Sequence, residues 1–350
     1  MKMLQACAVT LMVFLCQTDV RSQEPAAKEK PSAAAKTTTP QAPGVKKTQV
    51  KKAQAKKAQP QKVRVAPTQA NVAYGDHPRQ VLDFWQAKSE DPTPVVFHIH
   101  GGGWMSGDKA NVAGLERYLD AGISVVSINY RYVSQAHDAG IKPPVKAPLH
   151  DAARALQFVR SKAKEWNLDK ERIAATGGSA GACSSLWLAF HDDLAEPSSD
   201  DPIARESTRL LSAAVNGAQT TLDPAQMKEW TPNSRYGSHA FGIFKESAKP
   251  YTQDFAAFLS QRDEIASWIE EYSPYALATK DDPSVYLYYT VPPALGQDQK
   301  DPTHTSNFGV KLQERLREVG VESEVVYPSA ADVKHANTID YLIAQLKGTK

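Results

Sequence analysis

The segment Arg172–Phe190, with the sequence RIAATGGSAGACSSLWLAF, constrains the fold of this chain more than any other stretch. It joins a short apolar run to a second apolar run with helical spacing through a turn of small residues. The turn has the sequence GGSAG, a GxSxG pattern with Ser179 at its centre. Because the small residues let a strand and a helix approach closely, the hydroxyl can stand exposed on a sharp turn. The segment therefore predicts a strand over 172–176, a helix over 182–190 and a serine presented between them.

A GxSxG sequence by itself is weak evidence for catalysis, because Gly, Ser and Ala also cluster in ordinary strand-to-helix turns. If Ser179 is a nucleophile, the first backbone N–H of the helix, that of Ala180, can stabilise negative charge on an attacked carbonyl. Acyl transfer by serine also requires a base, an acid that orients the base and further donors for the oxyanion. The rest of the chain must supply these groups.

From Asn71 onward, short apolar runs alternate with longer helical patterns. The predicted strands are 71–75, 80–86, 94–100, 124–130, 172–176, 210–215, 284–291 and 322–327, and the predicted helices are 111–120, 148–166, 182–190, 307–319 and 335–346. This order favours an α/β fold with a mostly parallel sheet and helices on both faces. The alternation breaks over about 221–273, which is rich in Trp, Tyr, Pro and Ser. We expect a cap insertion over the site there, with an irregular insertion that does not contact the site as the alternative.

Candidate donors for an oxyanion follow the predicted strand 94–100. Residues 100–104 have the sequence HGGGW, and consecutive glycines let backbone N–H groups face a substrate without obstruction by a Cβ atom. We expect the N–H groups of Gly102, Gly103 and Ala180 to form an oxyanion hole, in which each donor is worth about 3 kcal/mol at the transition state. A glycine-rich turn without a ligand is the alternative. We expect His100 to order this loop by hydrogen bonding rather than to act as the base.

The base is expected in a loop that follows a late strand. His335 lies between the predicted strand 322–327 and the last predicted helix, and we predict that it takes the proton of Ser179. A surface or helix-capping histidine is the alternative for His335. His304 is the rival for the role of base because it lies close to a candidate acid.

The acid that orients the base is expected after the preceding strand. Asp301 lies in the loop after the predicted strand 284–291 and six residues before the helix that begins near residue 307, and it is the predicted acid. Asp298 is its rival in the same loop, and a solvated loop charge or a helix cap is the alternative for either carboxylate. Asp332 shares the loop of His335 and is therefore a poor candidate for orienting it.

At these motifs the sequence resembles the α/β-hydrolase superfamily. Within it, the chain is similar to esterases related to hormone-sensitive lipase and to the bacterial acetylxylan or feruloyl esterase-like group. The resemblance rests on HIHGGGWMSGDK (98–109), SINYRY (127–132), GGSAGA (177–182) and the loops of Asp301 and His335. The chain order of glycine loop, Ser, Asp and His is that of the superfamily. The glycine that usually precedes the histidine is missing from YPSAADVKH at 327–335.

The resemblance covers about residues 74–346 and implies an α/β-hydrolase fold. It also implies hydrolysis of carboxylic esters through an acyl-serine intermediate, with Ser179, Asp301 and His335 as the triad and with no metal and no cofactor. Small acyl esters are the expected substrates, with acetyl groups of a polysaccharide as the first candidate. One alternative is amide or formamide hydrolysis on the same triad. The other is a non-catalytic envelope-binding protein in which the hydrolase domain is a scaffold.

Residues 1–22 are expected to be a secretory signal peptide. They combine Lys2, an apolar stretch over 6–16 and a polar exit with small residues, and the apolar stretch is too short for a mature transmembrane helix. We therefore expect an exported protein, periplasmic or secreted. Cys183 would then be the single cysteine of the mature chain, so it has no partner for an intramolecular disulfide. We expect it to be a buried packing residue rather than a second nucleophile.

Residues 23–70 are expected to be a disordered tether in front of a catalytic domain over 71–350. They carry eleven Lys and Arg against two Glu, and they contain the near-repeat VKKTQVKKAQAKKAQ. So few large apolar residues cannot offset the entropy of folding. The tether is either a spacer or a basic arm held on an anionic cell-envelope surface. We expect no nucleic acid partner for an exported chain.

Overall fold

Eight β-strands and ten α-helices follow one another through the described part of the chain, residues 65–246 and 249–348 of a computed structural model. The strands are β1 (Gln69–Ala73), β2 (Val81–Trp85), β3 (Thr93–Ile99), β4 (Ser124–Ile128), β5 (Leu168–Gly178), β6 (Ser212–Asn216), β7 (Val285–Tyr288) and β8 (Ser323–Val326). The helices are α1 (Leu115–Asp120), α2 (Val133–Asp138), α3 (Lys146–Ser161), α4 (Ala180–Phe190), α5 (Pro224–Trp230), α6 (Phe255–Ser260), α7 (Ala266–Tyr272), α8 (Pro274–Leu277), α9 (Asn307–Val319) and α10 (Thr338–Lys347).

The expected signal peptide and residues 23–64 of the expected tether lie outside the described residues. The described chain takes part in the domain already at Val65, whose carbonyl accepts a hydrogen bond of 3.0 Å from Trp85 Nε1. The folded part therefore begins before residue 71, the predicted first residue of the catalytic domain. Across the described ranges, no helix combines the length and the apolar character that a bilayer crossing requires.

The strands form one sheet in the order β1-β2-β4-β3-β5-β6-β7-β8. All pairings among β3 to β8 are parallel, whereas β2 runs antiparallel to β4 and β1 runs antiparallel to β2. The prediction of a mostly parallel sheet is thus confirmed. In register, Ile99 of β3 faces Gly177 of β5, which in turn faces Val215 of β6. Because the carboxyl ends of parallel strands meet at one edge, the loops after β3, β5, β6 and β7 lie side by side.

Alternate residues of the strands pack against helices on opposite faces of the sheet. Val95, Phe97 and Ile99 belong to a core with buried residues of α3, α4 and α9, whereas Val96 belongs to a core with α1 and α10. This is the period of two that a strand buried on both faces requires. Helices cover both faces, as the sequence predicts.

Two helices begin later than the sequence predicts, and one keeps its predicted bounds. α9 occupies 307–319 as expected. α1 begins at residue 115 rather than 111, because Gly114 before it has a left-handed φ of 75° that a helix cannot contain. α10 begins at residue 338 rather than 335, because the Asn337 side chain accepts hydrogen bonds from the N–H groups of Ile339 and Asp340. No helix was predicted at α2.

Between β6 and β7 the chain leaves the alternation, as the composition of 221–273 indicates. The insertion contains α5, a 3-10 turn (Ser238–Phe241), α6 and α7. The side chains of Asp223 and Asp254 cap the first turns of α5 and α6. Trp230 and Phe241 are buried, so the aromatic residues of the insertion contribute to the core of the domain.

An ion pair between a partly exposed arginine and a buried aspartate holds the chain where it leaves β4. Arg131 donates from Nη2 to Asp151 Oδ1 (2.6 Å) and from Nε to Oδ2 (3.0 Å), and Gln80 Nε2 donates to the same carboxylate (2.7 Å). Asp151 is buried in α3, whereas the pair between Arg117 and Asp340 is exposed to solvent.

We expect Arg131→Ala to lower the free energy of unfolding by about 3 kcal/mol, because the Asp151 carboxylate loses its charge partner in the interior. Arg117→Ala is the matched control and should cost less than about 1 kcal/mol, because water screens an exposed pair. Urea denaturation followed by fluorescence measures both values. Equal costs for the two substitutions would contradict the assignment of the Asp151 pair as a buried constraint.

Candidate active site

Ser179 forms the sharp turn between β5 and α4. Its backbone has φ of 53° and ψ of −122°, a strained conformation for a residue with a side chain. The strain is held by hydrogen bonds on both sides: the Ser179 N–H donates to the Asn216 carbonyl (3.0 Å), and the Ser179 carbonyl accepts from the Cys183 N–H (3.0 Å). This is the geometry that the GxSxG sequence predicts for an exposed serine hydroxyl.

Glycines allow the turn to pack against β3. A Cβ atom on Gly181 would lie 2.1 Å from the Ile99 carbonyl oxygen, and one on Gly177 would lie 2.5 Å from the same atom. A Cβ atom on Gly178 would meet its nearest neighbour at 3.8 Å, which is ordinary contact. The elbow therefore requires glycine at 177 and 181 for close backbone approach, whereas the space around Gly178 is less restricted.

His304 contacts the serine, with its Nε2 2.9 Å from Ser179 Oγ. Its other ring nitrogen, Nδ1, lies 2.8 Å from Asp301 Oδ2. An ionised carboxylate can only accept a hydrogen bond, so Nδ1 carries the proton and Nε2 presents a lone pair to the serine hydroxyl. Ser179, His304 and Asp301 thus form a continuous chain of two hydrogen bonds.

The structure corrects the expected position of the base, because His335 does not occupy the place beside Ser179. Its Nδ1 lies 2.8 Å from Glu324 Oε2, and the N–H groups of Lys334 and His335 both donate to Glu324 Oε1 (2.8 Å each). Glu324 belongs to β8 itself, so the loop after this strand folds back onto its own strand. The Tyr286 hydroxyl, which donates to the His335 carbonyl (3.1 Å), holds it there.

Asp301 organises its own loop as well as the histidine ring. Its Oδ1 accepts from the N–H groups of Thr303 (3.1 Å) and His304 (3.3 Å), a turn in which an aspartate replaces a backbone acceptor. Of the two predicted carboxylates, Asp301 is the one that reaches the serine through His304, whereas Asp298 gives its backbone carbonyl to Gln299 Nε2 (3.3 Å). The sequence DPTH therefore contains the signal for a paired acid and histidine.

Residues that follow β6 place His304 against the serine. Gln219 Nε2 donates to the Thr303 carbonyl (2.7 Å). Gly217 has a left-handed φ of 57°, and a Cβ atom there would lie 3.4 Å from the Cβ of His304. The histidine therefore packs directly on the backbone of the neighbouring loop.

The acid and the histidine are open to solvent on one side. The side chain of Asp301 is 61% exposed and that of His304 is 41% exposed. Partial burial raises the pKa of Asp301, but hydrogen bonds from the His304 ring and from the backbone outweigh it and hold this pKa below its usual value. Asp301 is therefore ionised at neutral pH and can hold the Nδ1 proton.

The loop after β3 has its carbonyl groups fixed one after another. The Gly101 carbonyl accepts from His100 Nδ1 (2.7 Å), that of Gly102 accepts from the N–H groups of Met105 (3.0 Å) and Ser106 (3.1 Å), and that of Gly103 faces a ring nitrogen of the insertion. In a trans peptide the C=O and N–H point in opposite directions. Each fixed carbonyl therefore turns the following N–H to the other side of the loop.

This loop lies against the serine turn. A Cβ atom on Gly101 would lie 2.6 Å from the Gly178 carbonyl oxygen and 3.5 Å from the Cβ of Ser179. Gly102 and Gly103 have φ of 99° and 61°, a region that favours glycine. Within residues 65–246 and 249–348, no acceptor contacts the N–H groups of Gly102, Gly103 or Ala180. These are the three donors that the sequence predicts.

His100 orders the loop, in agreement with the expectation. Its ring stacks on Tyr130 with centroids 4.2 Å apart, and burial lowers its pKa to about 4. Cys183 is fully buried one turn after the serine, and burial raises the pKa of its thiol. It is a packing residue, as predicted. Among the described side chains, no group of three or more His, Cys, Asp or Glu could hold a metal ion.

We expect Gly181→Ala to lower the free energy of unfolding by about 1–3 kcal/mol, because the added methyl group must push β3 and α4 apart. Gly178→Ala is the matched control in the same turn and should cost less, because its methyl group meets only ordinary contacts. Thermal and urea unfolding of the two variants give the comparison. A cost for Gly178→Ala equal to that for Gly181→Ala would argue against the close contact at residue 181.

Comparison with known proteins agrees with this architecture. The sequence matches the BD-FAE family over residues 82–302, more than half of the chain, and the match includes the glycine loop, Ser179 and Asp301. Esterase LipC of Mycobacterium tuberculosis is 34% identical over 116 residues, which are 31% of this chain and 27% of LipC. The matched segment likewise covers 28% of the length of two further curated relatives. The chain thus spans little more than a quarter of the length of these three relatives.

Two solved structures share the fold at low sequence identity. The acetyl ester-xyloside bifunctional hydrolase of Caldicellulosiruptor lactoaceticus superposes with a TM-score of 0.53 at 20% identity, over 71% of this chain and 76% of that chain. A truncated carbohydrate esterase from gut microbiota superposes with a TM-score of 0.57 at 19% identity, over 80% of this chain and 96% of that chain. The sequence match and the shared architecture together show that this chain belongs to the BD-FAE family and has the α/β-hydrolase fold.

Proposed function

We propose that the protein is a serine carboxylic-ester hydrolase that acts through an acyl-enzyme. The observation that carries the proposal is the pair of hydrogen bonds from Ser179 Oγ to His304 Nε2 (2.9 Å) and from His304 Nδ1 to Asp301 Oδ2 (2.8 Å). A serine, a histidine and a carboxylate in this order are the groups that acyl transfer needs. Membership of a family with esterase relatives supports the same class of reaction.

In the proposed reaction, Ser179 Oγ attacks the ester carbonyl while His304 Nε2 takes the hydroxyl proton. His304 then gives this proton to the departing alcohol, which leaves the acyl group on the serine. In the second half, His304 takes a proton from water as the water oxygen attacks the acyl carbon. His304 then returns this proton to Ser179 Oγ as the bond between the serine and the acyl group breaks and the acid leaves. Asp301 stabilises the imidazolium that forms in each half of the cycle and keeps the ring oriented.

The proposed oxyanion hole consists of the N–H groups of Gly102, Gly103 and Ala180. The first two lie on the loop whose carbonyls are fixed on the other side, and the third begins α4 directly after the nucleophile. Donors that are held in place before the reaction need no reorganisation when charge develops on the carbonyl oxygen.

We infer that the substrates are small acyl esters of bulky alcohols, with acetyl groups on a polysaccharide as the first candidate. Support comes from the exposure of Asp301 and His304, which leaves one side of the site open to a large leaving group. The two structural neighbours named above are a carbohydrate esterase and an acetyl ester-xyloside bifunctional hydrolase, so acetylated carbohydrates are the first substrates to test. We also propose that the protein is exported, because residues 1–22 have the pattern of a signal peptide. The basic residues of 23–70 support contact of this segment with an anionic envelope surface.

We expect His304→Ala and Ser179→Ala to lower kcat/KM for p-nitrophenyl acetate by at least about 1,000-fold, because each removes a group that the serine mechanism needs. His335→Ala is the matched control, and it should change kcat/KM by less than about threefold, because His335 pairs with Glu324. The measurement uses the full secreted chain, with acetylated xylan and longer acyl esters as further substrates.

The opposite ranking of the two histidine variants would overturn the assignment of His304 as the base. No turnover of any ester by the wild-type protein would overturn the proposed function itself. Turnover of anilides or formamides with equal kcat/KM would instead widen the class from esters to amides.

We expect Asp301→Asn to lower kcat by about 100-fold or more, because an amide at this position no longer fixes the Nδ1 proton of His304. Solvent around Asp301 screens its charge, so the tautomer and the orientation of His304 account for most of this loss. Asp298→Asn in the same loop is the control and should leave kcat unchanged. Equal kcat values for the two variants would show that Asp301 is not the acid.

A further inference from the structure

His239, in the 3-10 turn of the insertion, contacts the glycine loop. Its Nε2 lies 2.9 Å from the Gly103 carbonyl oxygen, although 136 residues separate the two in the chain. A carbonyl can only accept a hydrogen bond, so the proton of the neutral ring is on Nε2. Burial lowers the pKa of His239 to about 4, even though the nearby Gln253 side chain and the hydrogen bond to Gly103 oppose this shift. The ring is therefore neutral at pH 7 and donates through a single N–H.

The ring of His239 is held in one orientation by its neighbours. The residue is 2% exposed. Tyr236 packs edge-on against the ring at a centroid distance of 4.9 Å, and Trp104 lies on another side at 6.0 Å. Trp104 is itself fixed by a hydrogen bond of 2.9 Å from its Nε1 to Ser184 Oγ on α4. The Nε2–H therefore has a fixed direction when it meets the carbonyl.

The carbonyl of Gly103 differs from those of Gly101 and Gly102 because its donor, His239, lies in the insertion rather than in the loop itself. The carbonyls of Gly101 and Gly102 are bound by His100 and by the following N–H groups of the same loop. Gly103 lacks a Cβ atom and has φ of 61°, so rotation of the peptides beside it meets little steric resistance. Without the donor from His239, the peptide between Gly103 and Trp104 could turn, and Gly103 would be held on its N–H side alone, through the bound Gly102 carbonyl.

We propose that His239 is a positioning residue for the oxyanion hole: it fixes the carbonyl side of Gly103, so that this residue and its N–H are held between two bound carbonyls, those of Gly102 and Gly103. The inference rests on the proposed ester hydrolysis at Ser179. It assigns the insertion a part in the chemical step, in addition to covering the core. His239 acts through the loop backbone and exchanges no proton with the substrate.

The test compares His239→Leu, which removes the donor, with His239→Gln, whose amide nitrogen can occupy the place of Nε2. We expect His239→Leu to lower kcat by about 10- to 100-fold, less than the roughly 100- to 1,000-fold that removal of a whole oxyanion donor costs, with KM changed by less than about twofold. His239→Gln should restore kcat to within about threefold of the wild type. A substrate pocket that was merely distorted would raise KM instead.

His150→Leu is the matched control for loss of a buried histidine. His150 is largely buried, burial likewise lowers its pKa to about 4, and it packs on Trp187 (5.5 Å) and Tyr272 (6.4 Å) rather than on the glycine loop. It should leave kcat within about twofold of the wild type. If His239→Leu does not fold, His239→Asn serves as the variant whose shorter amide cannot reach the carbonyl, and its thermal unfolding is compared with that of His239→Gln.

A kcat of His239→Leu within about threefold of the wild type would overturn the inference while leaving the proposed function intact. Absence of ester turnover in the wild type would overturn the proposed function instead. In that case the crystal structures of the wild type and of His239→Leu still decide: an unchanged Gly103 carbonyl overturns the positioning role, and a rotated one supports it.

Discussion

The close approach of β3 to the start of α4 is the contact on which the rest of the site depends. A Cβ atom on Gly181 has no room beside the Ile99 carbonyl, and one on Gly101 has none beside the Gly178 carbonyl. The glycine loop and the serine turn are therefore in direct backbone contact. A methyl group at either position would push the glycine loop and the serine turn apart, by a distance larger than a hydrogen bond tolerates. These two glycines thus set the distance between the nucleophile and the candidate donors, which is a separate role from their freedom of φ.

Most of the fold and half of the site follow from local sequence patterns. The strands of the parallel sheet and the helices that cover it have strong apolar periodicity. α9 matches its predicted bounds because a single amphipathic pattern runs over the whole helix. Ser179 and the loop 100–104 were also predictable, because each follows a predicted strand and a candidate acid and histidine follow them in the chain. Helix starts were less predictable where a single side chain decides them, as the Asn337 cap does for α10. The helices of the insertion have no such periodic signal.

The histidine beside the serine could not be chosen from the sequence order alone. Two neighbouring loops, after β7 and after β8, end at the same edge of the sheet and each contains a histidine. The choice depends on contacts between distant residues: Glu324 binds His335, and Gln219 holds the carbonyl of Thr303 across 84 residues. Neither contact leaves a local pattern. The missing glycine before His335 and the spacing of Asp301 and His304 were the two local signals that favoured the observed arrangement.

The two halves of the site are built on different physical principles. The Asp301 carboxylate and the His304 ring lie three residues apart in one turn, so their mutual geometry is local. The residues after β6, Gly217 and Gln219, set the distance from this ring to the serine. The donor loop, in contrast, is fixed by groups from its own segment and by His239 of the insertion. A change in the path of the insertion would therefore release the Gly103 carbonyl while leaving the pair of Asp301 and His304 intact. The exposed side of the site lies at Asp301 and the buried side at His239, so the insertion contacts the site on the side away from solvent.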